Sequence, residues 1–239
     1  MNNLYLIGCS ALAMDILENI QSSNWRICID KDKEKNLSIS DIKEIFFIDK
    51  HFESNEYLGF KVFNSIEEVN IKAKVNFFIV TFSSIKNQFK RENERLKYIN
   101  NGFTEISLIS KSSYLSNSSR VESGCIISQG VYVGPYTLIK NNSIILFNSV
   151  ISRNSIINKN CFISANVTVT ARKILSQNSY IGAGSLIDAN IGESSVIGSG
   201  SIVKRSVENF TIFDGSTNQS KRVLSFKNND LLKKARENL

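Results

Sequence analysis

The chain has 239 residues, 42% hydrophobic and 21% charged, and its 29 Lys and Arg against 22 Asp and Glu give a formal charge of +7. That length accommodates one or two cores, since domains commonly hold about 100–200 residues. The composition is that of globular material, with no stretch near the roughly 20 apolar residues that span a bilayer.

The start, MNNLYLIGCSALAMDIL, has no basic leading region, and its apolar residues are spaced as strand, turn and helix, so neither a secretory signal nor a membrane segment is expected. LYLIG (4–8) reads as a strand, 10–21 as a helix, WRICID (25–30) and KVNFFIV (74–80) as strands, and 83–102 as a helix stopped by Gly102. Strand and helix in alternation predict a small parallel α/β sheet over residues 1–111. The basic residues are scattered apart from KDKEK and KKAR. That distribution argues for a solvated surface, suits an anionic ligand and gives no track for nucleic acid.

From Leu115 the pattern changes. Large aliphatics fall at Leu115, Val121, Ile127, Val133, Ile139, Ile145, Ile151, Ile157, Ile163, Val169, Leu175, Ile181 and Ile187, an unbroken spacing of six. Four residues after most of these beats stands a small or β-branched residue, such as Ser119, Thr137, Ser143, Ser155, Cys161 or Val167. Three residues after the beat the slot is rich in Gly and Asn, the types that tolerate a left-handed backbone at a turn. A hexapeptide period predicts short strands joined by tight corners, three hexads closing one triangular coil of a parallel β-helix. Cys125 and Cys161 then lie two coils apart on one wall, about 10 Å, too far for a disulfide. With Cys9 and Cys28 they read as free thiols of a reducing, cytoplasmic compartment.

Three interruptions stand out. Lys173 falls in an inward slot, so the coil around VTARKI must bulge or turn that side chain outward, because an unpaired buried ammonium is costly. Beyond Ile187 the beats Ile191, Ile197 and Val203 imply a corner shortened by two. KRSVENFTIFDGS then leaves the repeat, placing the end of the β-helix (112–206) before a 207–239 extension whose NNDLLKKARENL reads as a terminal helix.

The small α/β domain, the NNGF joint (100–103) and the hexapeptide coil together resemble the NeuD/PglD-type sugar O- or N-acetyltransferase family, over essentially the whole chain. The resemblance implies a left-handed β-helix, a homotrimer, acetyl-CoA or another acyl-CoA as co-substrate without a metal, and a nucleotide-linked amino sugar as substrate. The family's first turn, G-A-S-G-H-G, is here GCSALA. Gly8 and Ser10 match, and Asp30 falls where the family has an acidic residue facing the nucleotide. All three also suit an ordinary strand-to-helix turn or loop. In the β-helix the family's histidine–glutamate pair falls on Arg153 and Asn154 of VISRNSII, and a second family histidine on Phe162. The only histidine in the chain is His51, read as a surface or loop residue. By resemblance the acyl-CoA groove is lined by Gly182, Ala183, Gly198 and Gly200, with Lys204 and Arg205 placed for phosphates. The closing G-x-P-A-K element is reduced to GSTNQSK from Gly215.

Two functions follow. One is an acyl-CoA-dependent N-acyltransferase for a nucleotide-linked amino sugar in bacterial surface polysaccharide or glycan biosynthesis, working without the family's histidine on an amine that arrives deprotonated. The other is a non-catalytic trimeric relative that binds or scaffolds.

Overall fold

A computed structural model describes residues 2–21, 24–29, 36–37, 39–69, 75–82 and 88–214. The chain divides into two units, Met1–Lys111 with Glu122–Ile126, and Ser112–Val121 with Ile127–Leu239.

In the first unit β1 (Asn2–Ile7) leads through α1 (Ala11–Gln21) to β2 (Trp25–Cys28) and the short β3 (Asn36–Leu37). Then come β4 (Ile42–Ile48), β5 (Glu56–Tyr57), β6 (Phe60–Phe63), β7 (Val75–Val80), α2 (Gln88–Asn100), β8 (Thr104–Glu105) and β9 (Ser107–Ser110). The main sheet runs β5-β6-β4-β1-β7-β8, with β1 parallel to both β4 and β7. Its middle strand, β1, is buried on both faces, as a central parallel strand must be. The expected second strand takes a different place. β2 lies outside this sheet, antiparallel to β3 and β9, with Trp25 opposite Ser110 and Cys28 opposite Ser107. The neighbour of β1 is instead β4, whose Phe47 and Ile48 are buried. Tyr5, Phe78, Tyr98 and Phe103 pack ring on ring in the core beneath α2.

The second unit is a parallel β-helix of two-residue strands. Wall 1 stacks Tyr114–Leu115, Tyr132–Val133, Val150–Ile151, Thr168–Val169, Leu186–Ile187 and Ile202–Val203, and wall 2 runs from Arg120–Val121 to Ile174–Leu175. Wall 3 includes Ile144–Ile145, Phe162–Ile163, Tyr180–Ile181, Val196–Ile197 and Ile212–Phe213. Residue i pairs with the residue one coil on, as Val133 with Ile151 and Ile139 with Ile157. The aliphatic beats from Val133 to Ile187 are wholly buried.

The inward serines have a physical reason. A corner breaks the ladder and leaves amides and carbonyls to be satisfied, and the hydroxyls do so. Ser149 donates to the carbonyl of Ser164 at 2.9 Å and accepts from the amide of Val167 at 3.1 Å. Ser143 does the same between Asn158 and Cys161. The outer turn slots are left-handed throughout, with Asn142, Asn148, Asn154, Asn160, Asn166 and Asn178 at φ of 56–59°. Asn142, Asn160 and Asn178 also form a row, each carboxamide donating to the next at 3.0 and 2.7 Å.

Lys173 turns outward as expected, pairing with Asp188 at 3.2 Å. The end of the coil is corrected. It continues past residue 206, with Ile191 bridged to Val207 and Val196 paired with Ile212, because the later coils contain sixteen residues instead of eighteen. The expected terminal helix and GSTNQSK lie outside the described residues. Among those described, no helix is long and apolar enough to cross a membrane.

Candidate functional site

The first candidate lies at the carboxyl ends of β1 and β4, where chain reversal exposes backbone groups. Gly8 has φ of +106° and a Cβ there would meet the Phe82 ring at 3.0 Å, so the turn requires glycine. Ser10 stands immediately before α1. Its hydroxyl accepts from the amide of Ala13 at 3.2 Å and donates to the carbonyl of Thr81 at 2.8 Å. The Asp49 carboxylate takes the amides of Cys9 and His51, both at 2.9 Å. Sequence reasoning passed over Asp49, although an acid directly after a buried strand is a signal for such a turn. Asp30 lies outside the described residues. His51 is exposed in the loop after β4.

Burial, and secondarily the charge of Asp49, push the Cys9 thiol up to about 12. At pH 8 only about one thiol in ten thousand is then ionised, and the thiolate is the reactive form. Iodoacetamide is expected to label Cys9 about a thousandfold more slowly than an open thiol. Peptide mapping of native protein checks this, and labelling within minutes would refute it.

The second candidate is the β-helix, whose three corners separate the expected residues. Gly182 and Ala183, with Gly198 and Gly200 one coil on, share the edge between walls 3 and 1, since Gly182 donates to Ile197 at 2.8 Å and Gly200 to Ala183 at 2.7 Å. A Cβ on Gly182 would lie 2.7 Å from the Gly198 carbonyl carbon and against the amide of Ser199. The structure thus needs this glycine whatever else it does. The amides of Gly182, Gly198 and Gly200 are all committed to the ladder, so they are not free to polarise a thioester carbonyl.

Lys204 and Arg205 follow wall 1 and stand on its other edge, away from those glycines and on the edge that carries Arg153 and Asn154. Arg153 is exposed. The backbone of Asn154 has φ of +58°, and its amide donates to Pro135 at 2.9 Å. Asn154 therefore fills a corner slot as its fellow asparagines do. Phe162, where the resemblance puts a second histidine, is buried on wall 3 and stacked on Tyr180 with centroids 5.0 Å apart. Burial also raises the Tyr180 phenol above its ordinary value.

Farther along the Arg153 edge, Asp188 accepts from Thr170 at 2.6 Å and pairs with Lys173. The Thr170 hydrogen bond, then Lys173 and the more distant Lys204, hold its carboxyl below the usual range. Asp188 stays charged and occupied by Lys173.

No protein-family model matches the chain, and no curated protein matches its sequence. Solved structures match its fold. The acetyltransferase domain of PglB from Neisseria gonorrhoeae FA1090, in complex with acetyl coenzyme A, aligns with a TM-score of 0.74 at 15% identity, covering 93% of this chain and 98% of that one. A histidine-to-asparagine mutant of perosamine N-acetyltransferase from Caulobacter crescentus, in complex with CoA and GDP-perosamine, aligns at 0.73 and 16% identity, covering 93% and 97%. WeeI from Acinetobacter baumannii AYE aligns at 0.57 and 13%, covering 94% and 100%. The chain has the fold of the hexapeptide-repeat sugar acetyltransferases.

Proposed function

We propose that the chain is an acyl-CoA-dependent N-acyltransferase, acetyl-CoA being the leading donor, that acts on a nucleotide-linked amino sugar in glycan assembly. The observation that carries the reading is the length of the fold match: it covers 93% of this chain with proteins whose structures hold acetyl coenzyme A or CoA with GDP-perosamine. In this reading the β-helix is left-handed. The turn at Gly8 and Ser10, with Asp30, meets the nucleotide sugar, while the Gly182, Ala183, Gly198 and Gly200 edge takes the pantetheine arm, and Lys204 and Arg205, which stand on the other edge of wall 1, take the phosphates from a neighbouring copy. The working form is a cytoplasmic homotrimer. Its contact is supported by the apolar outer face of wall 1, where Tyr114, Tyr132 and Ile202 are exposed.

With Arg153 and Asn154 where a base would stand, transfer depends on positioning. The neutral amine nitrogen attacks the thioester carbonyl, the carbon–sulfur bond breaks, the thiolate leaves, and the amine proton goes to solvent. The rate as a function of pH should rise along a single limb set by the amine itself, with no second limb near the ordinary histidine range. The specific observation favouring a binding or scaffold protein is that same pair, one exposed and one in a turn slot.

The test is the full chain incubated with acetyl-CoA and a panel of UDP- and dTDP-amino sugars, following free thiol and the melting temperature. Thiol release with one sugar, and stabilisation by acetyl-CoA of about 2.7 kcal/mol at a hundredfold excess over Kd, are expected. Neither signal would leave only the scaffold reading.

A further inference from the structure

The edge between walls 1 and 2 departs from the rule that most corners follow, as Phe210 at φ +56° does on another edge. Its left-handed slots hold Tyr136 at φ +56°, Asn154 at +58° and Arg172 at +63° on successive coils. Glycine or asparagine fills most such slots because a larger side chain is strained there by about 1 kcal/mol or more. A tyrosine and an arginine persist here, one coil above and one below Arg153.

The edge is also stiff. Pro135 is the single proline of the chain and sets the backbone immediately before Tyr136. Gly134 lies so close to the next coil that a Cβ there would come 2.8 Å from the amide nitrogen of Arg153. The amide of Arg172 donates to the carbonyl of Arg153 at 3.0 Å, so the two arginines occupy adjacent coils, about 5 Å apart along the stack. Tyr136 is 71% exposed, and both arginines are exposed. Among the described residues no carboxylate pairs with either arginine, and Asp188 is taken by Thr170 and Lys173.

A tyrosine and two arginines, all exposed, on successive coils of one stiff edge are suited to a ring that carries an oxyanion. Guanidinium forks match the geometry of phosphate and carboxylate, and a tyrosine face packs against a sugar ring. We propose that Tyr136, Arg153 and Arg172 form a binding site for an acidic sugar, with its ring against Tyr136 and its phosphate or carboxylate between the two arginines. The site lies at the corner where the acyl-transfer reading expects a base and deepens that reading, but its test reads binding without acyl-CoA, so the two can fail separately.

Calorimetric titration of the full chain with glucosamine 6-phosphate, glucuronate and neutral glucosamine distinguishes a phosphate from a carboxylate ligand. At least one acidic sugar should bind about tenfold or more tightly than glucosamine, with affinity falling as salt rises. Arg153→Gln and Arg172→Asn should each weaken that acidic sugar about 10- to 100-fold. Asparagine already occupies the Arg172 slot on neighbouring coils, so Arg172→Asn should melt at the parent temperature or above it. Lost binding is then not lost fold. The proposal is overturned if neither acidic sugar binds better than glucosamine, or if the Arg153→Gln/Arg172→Asn double variant binds like the parent.

Discussion

Arg95→Ala is expected to destabilise the first unit by about 3–5 kcal/mol, the cost of stranding one member of a buried ion pair. Arg95 lies on α2 and grips Glu105 of β8 with two prongs, Nε to Oε1 at 2.6 Å and Nη2 to Oε2 at 2.9 Å. The side chains are 13% and 7% exposed. A Cβ on Gly124 would strike that same carboxylate, which shows how closely backbone encloses it. Burial alone would lower the Arg95 pKa, but the hydrogen bond and charge of Glu105, with Glu92 behind, outweigh it and leave it raised. A raised pKa means stability present below the unfolded value and lost only as pH climbs through the folded one. For arginine that window lies far above neutrality, so the pair is held across the working range. Urea denaturation followed by far-UV circular dichroism measures the loss. Arg95→Met/Glu105→Leu should recover most of it, because that exchange leaves no charge without a partner. A loss below about 1 kcal/mol in the single variant would show that water already screens the pair.

Gly182→Ala should cost about 3 kcal/mol in the second unit, the upper end of what overpacking does. The added methyl meets backbone, at 2.7 Å from the Gly198 carbonyl carbon and 2.8 Å from the Ile197 carbonyl oxygen, and backbone cannot rotate aside. The coil must separate locally from its neighbour. Gly200→Ala is the control: open space surrounds that Cβ, and only its φ of +70° is unfavourable, at about 1 kcal/mol. Denaturant midpoints of the two variants, compared in one buffer, give the difference. Equal midpoints would mean that the coils yield more readily than their ladder implies. The comparison bears on acyl-CoA too, since a binding defect in Gly182→Ala reports the damaged coil, whereas exposed Ala183→Val alters the same edge without touching the ladder.

The β-helix was legible because its geometry imposes a period that sequence must obey: an inward beat every six residues leaves no freedom over Val133–Ile187. Legibility ended where the short corner recurred. Val207 lies four residues after Val203 and Phe213 six after Val207, which repeats the shortened corner already read at Ile191, and that repetition was missed. In the first unit LYLIG, WRIC and KVNFFIV could be read as strands but not their partners. WRIC does not lie beside β1; IKEIFFI does and was passed over, although its short apolar run IFFI is what a strand buried in a parallel sheet displays. The corner asparagines announced their backbone conformation from sequence alone. Tyr136 and Arg172 did not, because nothing in their chemistry asks for a left-handed turn. The separation of Lys204 and Arg205 from the groove glycines follows from which corner each hexad precedes, information that a linear motif does not contain.

The row Asn142, Asn160, Asn178 has a direction. Each amide hydrogen points toward the later coil, so three side-chain dipoles lie head to tail along the prism axis, with an oxygen at the early end and hydrogens at the late end. The next corner offers Ser194, whose short hydroxyl is buried and meets no partner. The polarised line therefore stops inside the stack, and beyond it other side chains join the coils at that corner: Gln177 donates to Glu193, Asn209 accepts from the amide of Glu193, and Ser195 donates to the Glu208 carbonyl and accepts from the amide of Thr211. The prism is stitched along one seam by a continuous thread at its beginning and by separate knots at its end.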